Sequence, residues 1–569
     1  MAKTDYSVRD LVSRVERGEL QLPEMQREYV WRATRVRDLL DSLYRGYPSG
    51  VILAWESDES IATREFAVGS ATPAVRPLLL LDGQQRLTSL SAVLSGNPVS
   101  VRGRKRPVEI LFNLDHPEEL AFVTEVNETS SDDADESDVA DETERDLQER
   151  MNRLTFVVAS RALEALPNWV RVTDVFSKTD SELLRAAGVT GFDDPRFEKY
   201  AARLKGVRAI ADYEYRMDIL ERTKSYEEVT EIFVRVNSLG AKLRSSDLAL
   251  AQITAKWRGS LAMFRQYQSE VNQRGFDIEV GLILRALIAL TTNQSRFLTV
   301  GSLSLKQLQD GWKRTTKAFD FALNFAVSNL GVDSPTLLSS PFLLITLAYW
   351  SDRLGFSISA SEAASFRQWF HAANAKGRYS RGSSETLLDQ DLATLRDGGS
   401  PVDLIQRLAL QVGRLDFTAE ELVGRTSRSG AFKTMFLAFR QDHARDWATN
   451  LEISPKHHGK SDVVEYHHVF PRAYLKKHRA DVGQQAIDDI ANLAFIGAAT
   501  NKQISDRAPA DYRNDFDSAV LAVQLVDLTD DRAEAAEFER FVEQRRAAIV
   551  RRLNEFIGIS GSGAEFTSS

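Results

Sequence analysis

The sequence predicts an α+β multidomain protein with an α/β N-terminal part, a helical middle and a C-terminal part built around histidines. Three observations carry this reading. Over residues 1 to 255, short apolar runs bounded by Gly, Pro or Asp alternate with helical spacing of apolar residues. Residues 256 to 445 are helical in pattern almost throughout and rich in Leu, Ala and Phe. Residues 446 to 557 bring two adjacent histidines onto a strand-like run and close with a charged amphipathic helix, leaving 558 to 569 as a small-residue tail expected to be disordered.

Composition narrows the class. With 569 residues, 43% apolar and 27% charged, the chain can bury cores for two to four domains. The opening Met1-Ala2-Lys3-Thr4-Asp5-Tyr6 lacks the basic start and apolar run of a signal peptide. No apolar stretch approaches the roughly 20 residues that span a bilayer, so no membrane partner is expected. The absence of cysteine excludes disulfides and thiolate metal sites and fits a cytoplasmic location. Any metal must then be held by His, Asn, carboxylate or water.

The net charge of −9 is local in origin. Between Glu128 and Glu149 eleven Asp or Glu residues face one Arg, so the rest of the chain is close to neutral. This acidic segment, within about 126 to 150, is too polar to bury a core and reads as a disordered insertion, or as a mimic of nucleic acid. Net charge therefore does not exclude a nucleic-acid partner. Candidate phosphate contacts are Arg102-Gly103-Arg104-Lys105-Arg106, Arg472 with Lys476 to Arg479, and Arg545-Arg546 with Arg551-Arg552; each also reads as a solvated face.

Along the chain, helix-like spacing from Val8 to Arg17 leads to an extended Leu20 to Pro23, and a second helix runs from Thr34 to Tyr44. Gly50 to Trp55 and Leu78 to Leu81 read as strands, the latter stopped by Asp82-Gly83 and followed by a helix from Leu87 to Leu94. Strand signals return at Leu154 to Val158 and Tyr213 to Ile219. The stretch from Tyr226 to Val236 is helical, and Ser246-Asp247 caps the next helix. The terminal helix is expected over Asp531 to Phe556.

The C-terminal constellation is Glu465-Tyr466-His467-His468-Val469-Phe470-Pro471. Adjacent strand residues face opposite ways, so one histidine can ligate a metal while the other meets a substrate. Asn492-Leu493-Ala494-Phe495-Ile496 follows 24 residues after His468, and Asn501, nine residues beyond Asn492, lies at a helix start, implying strand, strand, helix. As a bare pair, the histidines also fit a satisfied polar pair or a structural zinc site with His457-His458. The ordered set resembles the HNH, or ββα-metal, nucleases in their D/H-H-I/V-x-P subgroup, over about Glu465 to Asp506. The resemblance implies His467 as metal ligand, His468 as general base, Asn492 as brace of the inter-strand loop and Asn501 as second ligand. Asn501 stands where many members have His. A neutral imidazole can take a proton from water, and Mg²⁺ or another divalent ion can stabilise the charge on phosphate.

The N-terminal constellation is Asp82-Gly83-Gln84-Gln85-Arg86, read as a loop between a buried strand and a helix. Gly allows a tight turn, helix-start amides can face phosphate, and Arg86 adds a planar donor fork. A capped helix with an Arg salt bridge fits the same residues. Leu22 to Trp31, Leu40 to Gly50, the Asp82 to Arg86 stretch, and Phe233 to Gly240 followed by Ser246-Asp247-Leu248 together resemble the N-terminal domain of GmrSD-type modification-dependent restriction proteins. That resemblance implies a ParB/sulfiredoxin-like fold binding and hydrolysing a nucleoside triphosphate, GTP or ATP, at Asp82, Gly83, Gln84, Gln85 and Arg86, with Gln26, Arg27 and Asn237 in the same pocket. Arg27 and Arg235 also fit ion pairs that hold the domain together. Tyr29, Trp31, Tyr44 and Tyr47 could line a sensor pocket or belong to the core.

The whole arrangement resembles fused type IV restriction enzymes, including the phosphorothioation-linked SspE and BREX-linked BrxU groups. It implies phage defence in which nucleotide turnover gates cleavage of modified DNA, with a homodimer possible. The alternatives are an unregulated or toxin-like HNH DNase and a nucleotide-gated ParB-like DNA-binding protein.

Overall fold

The computed structural model describes residues 2–23, 31, 33–56, 63–64, 78–96, 109–117, 153–239, 245–454 and 464–558. Gln26, Arg27, Tyr29, the basic stretch 102–106, the acidic segment, His457, His458 and residues 559–569 lie outside the described residues, as does the side chain of Asn237. The chain divides into two compact units, Met1–Gly259 and Ser260–Ser569.

The first unit contains a six-stranded mixed sheet in the order β1-β9-β3-β5-β2-β4. Its strands are β1 (Ala2–Ser7), β2 (Leu20–Pro23), β3 (Ile52–Glu56), β4 (Thr63–Arg64), β5 (Leu78–Asp82) and β9 (Glu214–Leu220). A smaller antiparallel sheet orders β7 (Phe156–Val158), β6 (Ile110–Asn113) and β8 (Trp169–Arg171). The unbroken leucine run of β5 follows from burial on both faces. Leu80 packs into one core with Val8, Leu11, Leu40, Leu87 and Met217. Leu79 and Leu81 join a second core with Trp55 and Leu220, covered by Val229 and Phe233 of helix Tyr226–Leu239 and Ala251 of helix Ser245–Lys256. A strand covered on both sides loses its polar alternation. β9, more than two hundred residues after β1 in the chain, pairs antiparallel with β1 and parallel with β3, sending Tyr215, Met217 and Ile219 inward at the period of two.

The sequence places Gln84, Gln85 and Arg86 in a loop, but the helix starts at Gln84 and runs to Leu94. Gly83 alone makes the turn, with φ at +95°, a backbone angle that a side chain disfavours.

The second unit is mainly helical. Helices run from Ser260–Gln273 through Leu305–Leu330 and Ala360–Lys376 to Gly430–Gln441. Ser304 with Gln307, and Ser359 with Glu362, form reciprocal capping boxes, and Gly331 and Gly377 end those two helices in the left-handed conformation. Inside lies an ion pair between Arg378 and Asp391, 2.8 Å apart and at most 1% exposed, with the Tyr379 hydroxyl donating to Asp391 at 2.7 Å. The same unit contains β10 (Val464–His468), β11 (Leu493–Gly497), helix Ala498–Ile504 and the terminal helix Phe538–Phe556. That last helix begins later than the expected Asp531. Ala533 and Phe538 are both buried, yet five residues turn a straight helix by about 140°, so the chain takes short 3₁₀ turns before it. No helix among the described residues is long and apolar enough to cross a membrane.

Candidate active site

β10 and β11 form an antiparallel pair with His467 opposite Ala494 and His468 opposite Leu493. Several side chains that carry no motif build their support. Phe495 on β11 packs against Phe432 and Phe436 of helix Gly430–Gln441, at 4.8 and 4.9 Å between ring centres. Gln524 pairs with the Phe495 backbone like a neighbouring strand, accepting from its N–H and donating to its carbonyl, both at 2.8 Å. Where β11 passes into helix Ala498–Ile504, Asp446 accepts from the Gly497 N–H at 2.6 Å and the Thr500 hydroxyl at 2.7 Å. The strand-to-helix corner is thus pinned on both sides.

On this frame lie the four residues singled out in the sequence, of which His467 and Asn501 touch. His467 is 3% exposed and packed by Trp447 and Tyr512. Its Nδ1 is 2.8 Å from Asn501 Oδ1. Its Nε2 is buried without a hydrogen-bond partner among the described residues. Burial pulls its pKa down to about 4, so at neutral pH the ring is uncharged and one nitrogen carries a free lone pair. His468 points the other way, Nε2 lying 2.9 Å from Asp488 Oδ1; burial lowers its pKa too, against the raising effect of Asp488. Asn492 is fully buried. Its Oδ1 accepts from the Phe470 N–H at 2.9 Å, and its Nδ2 donates to the carbonyls of Phe470 (3.2 Å) and Ile487 (2.9 Å). It therefore ties the chain leaving β10 to the connection that enters β11.

Glu465 is a participant the sequence reading passed over. Its Oε2 accepts from Asn501 Nδ2 at 2.8 Å, which leaves Asn501 Oδ1 facing His467. Period-two spacing puts Glu465 on the same strand face as His467, a signal open to sequence reasoning. Asp488 offered no such signal, lying in the long connection outside any motif.

His467 Nδ1 and Asn501 Oδ1 face each other at 2.8 Å. An amide oxygen only accepts, so Nδ1 carries the proton between them, and the pair could hold a small hard cation only once Nδ1 gives that proton up. No cluster of three or more His, Asp or Glu suited to a metal occurs among the described residues. An ion held by these two residues would keep most positions for water and phosphate oxygens.

Of the basic stretches, Lys476 and Lys477 are exposed on helix Arg472–His478, which follows His468, while Arg472 bonds Asp488 at 2.7 Å. The terminal-helix arginines mostly serve the interior. Arg545, 3% exposed, donates to the carbonyls of Ala491 (2.7 Å) and Gln524 (3.0 Å). Arg546 bonds Asp489, and Arg552 bonds Asp442. Only Arg551 of that set is exposed.

In the first unit, Asp82, Gly83, Gln84, Gln85 and Arg86 gather where β5 meets its helix. The Arg86 guanidinium donates to the carbonyls of Ser49 (2.6 Å) and Val51 (2.8 Å) and to Asp82 (3.0 Å). These bonds brace the turn at Gly50 against the helix start. Gln84 and Gln85 are buried, and Gln85 Oε1 accepts from the Trp31 N–H at 3.2 Å. The N-cap Gly83 offers the helix start no side-chain hydrogen bond. Among the aromatics, Tyr44 packs on Phe112 and Phe156 within the core, Trp31 lies partly buried against that core, and Tyr47 is half exposed. Arg235 pairs with Glu231 one helical turn earlier, on the surface.

Comparison with known proteins bears on the first unit most directly. Residues 8–254 match the family model described as the GmrSD restriction endonuclease, N-terminal domain. An uncharacterized protein of Methanocaldococcus jannaschii is 22% identical over 615 aligned positions, which cover 96% of this chain and 98% of that relative.

Proposed function

We propose that this chain, whose residues 8–254 match the model of the GmrSD restriction endonuclease N-terminal domain, is a DNA-cleaving restriction hydrolase that acts in phage defence and cuts at His468. The observation that carries this reading is the presence of His467, His468, Asn492 and Asn501 on one strand, strand, helix frame. That is the arrangement expected of an HNH nuclease. In this reading His468, a neutral imidazole, takes the proton of the attacking water. His467 and Asn501 hold a divalent ion such as Mg²⁺, which when bound would stabilise charge developing on the scissile phosphate. Asn492 keeps the end of β10 in place, and Lys476 and Lys477 meet the DNA backbone.

The first domain is proposed to bind a nucleoside triphosphate, GTP or ATP, at the start of the helix after Gly83, with Asp82 and Arg86 shaping the turn. Nucleotide state and DNA modification would together set how often the nuclease fires, which requires that nucleotide bind two conformations with different affinity. Nicking and nucleotide hydrolysis by the full chain, measured on matched unmodified, glucosylated and phosphorothioated DNA with Mg²⁺, test both halves. Cleavage of one DNA type, lost in His468→Ala, is the expected result. Equal cleavage of all three would remove modification sensing. Unchanged cleavage by His468→Ala would remove the site assignment.

A further inference from the structure

His468 is held by a carboxylate that no motif predicts. Asp488 Oδ1 lies 2.9 Å from His468 Nε2. The carboxylate is itself fixed from two further directions: Gln484 Nε2 donates to its Oδ2 at 2.7 Å, and Arg472 donates to its Oδ1 through Nε at 2.9 Å and through a terminal nitrogen at 2.7 Å. An ionised carboxylate can only accept, so the neutral imidazole must present Nε2–H to it. The lone pair is then confined to Nδ1. Arg472 Nε also approaches His468 Nε2 at 3.3 Å, but that N–H has the shorter, charged acceptor in Asp488.

We propose that Asp488 is a positioning residue for the proposed nuclease: it fixes the His468 ring in the Nε2–H tautomer so that Nδ1 is the atom that takes the proton from water. The proposal rests on the reading of His468 as the base. In the step it serves, the water oxygen bonds to phosphorus as the bond to the leaving oxygen breaks, the bonding pair staying on that oxygen, which takes up a proton from solvent. The water proton moves to Nδ1, and the resulting imidazolium is stabilised by Asp488 until it releases the proton to solvent. Gln484 and Arg472 keep the carboxylate aimed at the ring, a supporting shell of the kind whose loss leaves a site present but loose.

The test uses the full chain in four forms: wild type, Asp488→Ala, Asp488→Asn and His468→Ala. Plasmid nicking is measured with Mg²⁺, and ¹⁵N-histidine spectra report the ring tautomer, the His468 signals being identified by their absence from His468→Ala. Asp488→Ala is expected to lower kcat by about 10- to 100-fold with little change in KM, and to mix the two tautomers. Asp488→Asn should recover most of the rate, because the two Arg472 donors hold its oxygen on the Oδ1 side, still facing Nε2–H. Wild-type kcat in a folded Asp488→Ala, or a lower rate with the His468 tautomer unchanged, would overturn the proposal. If wild type and His468→Ala nick alike, the nuclease assignment itself fails. The tautomer comparison then still decides whether Asp488 governs the ring, and an unmoved tautomer overturns that as well.

Discussion

Asn492 carries more of the site's geometry than its size suggests, because one buried amide satisfies three backbone groups on two segments. Asn492→Ala is expected to destabilise the chain by about 3 kcal/mol, since each buried group left without a partner costs about 1–3 kcal/mol and some relaxation recovers part. Urea denaturation checks this, and a change within error of zero would show that the loop repairs itself. A second residue-scale prediction concerns His371, buried against Phe556, whose pKa burial pulls down to about 3. The unfolded chain takes up this proton near pH 6.5, whereas the folded ring resists until about pH 3. Its effect is therefore absent above pH 6.5, and stability falls as pH drops from there toward 3. His371→Met should flatten that limb of the melting-temperature profile, and an unchanged limb would assign the acid sensitivity elsewhere.

Among the elements, the junction of β5 with its helix and the terminal helix illustrate how a fold holds a site without touching it. Gly50 has φ at +98°, and a Cβ there would lie 2.5 Å from the Arg86 guanidinium. Gly50→Ala should displace Arg86 from Ser49 and Val51 and cost about 1–3 kcal/mol in backbone strain, read by thermal unfolding. A neutral result would mean that the guanidinium moves freely and is no brace. In the terminal helix, Arg545 reaches the backbone just before Asn492. Arg545→Met keeps the packing but leaves the Ala491 and Gln524 carbonyls unpaired, an expected loss of about 2–3 kcal/mol. Wild-type stability in this variant would show that water replaces the guanidinium.

For the molecule as a whole, the proposed metal dependence of cleavage and the stability of the fold should separate. His467 and Asn501 already bond each other directly, so folding does not need an ion between them. EDTA is expected to stop nicking and leave the thermal melt unchanged, and Mg²⁺ to restore the activity. A melt lowered by EDTA would instead indicate a structural metal, as in small domains that fold only with their ion.

Local chemistry determined a good part of this protein in advance. The Leu78 to Leu81 strand, the helical stretch after residue 256 and the opposed facing of His467 and His468 follow from apolar period and strand geometry, which short range alone imposes. Glu465 was legible by the same alternation. Tertiary structure alone decided what surrounds these elements: that β9 returns between β1 and β3, that Arg86 and Arg545 turn inward to bond carbonyls, and that Asp488 reaches His468 from a connection with no pattern of its own. The physical reason is that an arginine or an aspartate reads as polar whether it faces water or a buried partner. Which of the two it meets depends on chain brought from tens or hundreds of residues away, and no local spacing records that.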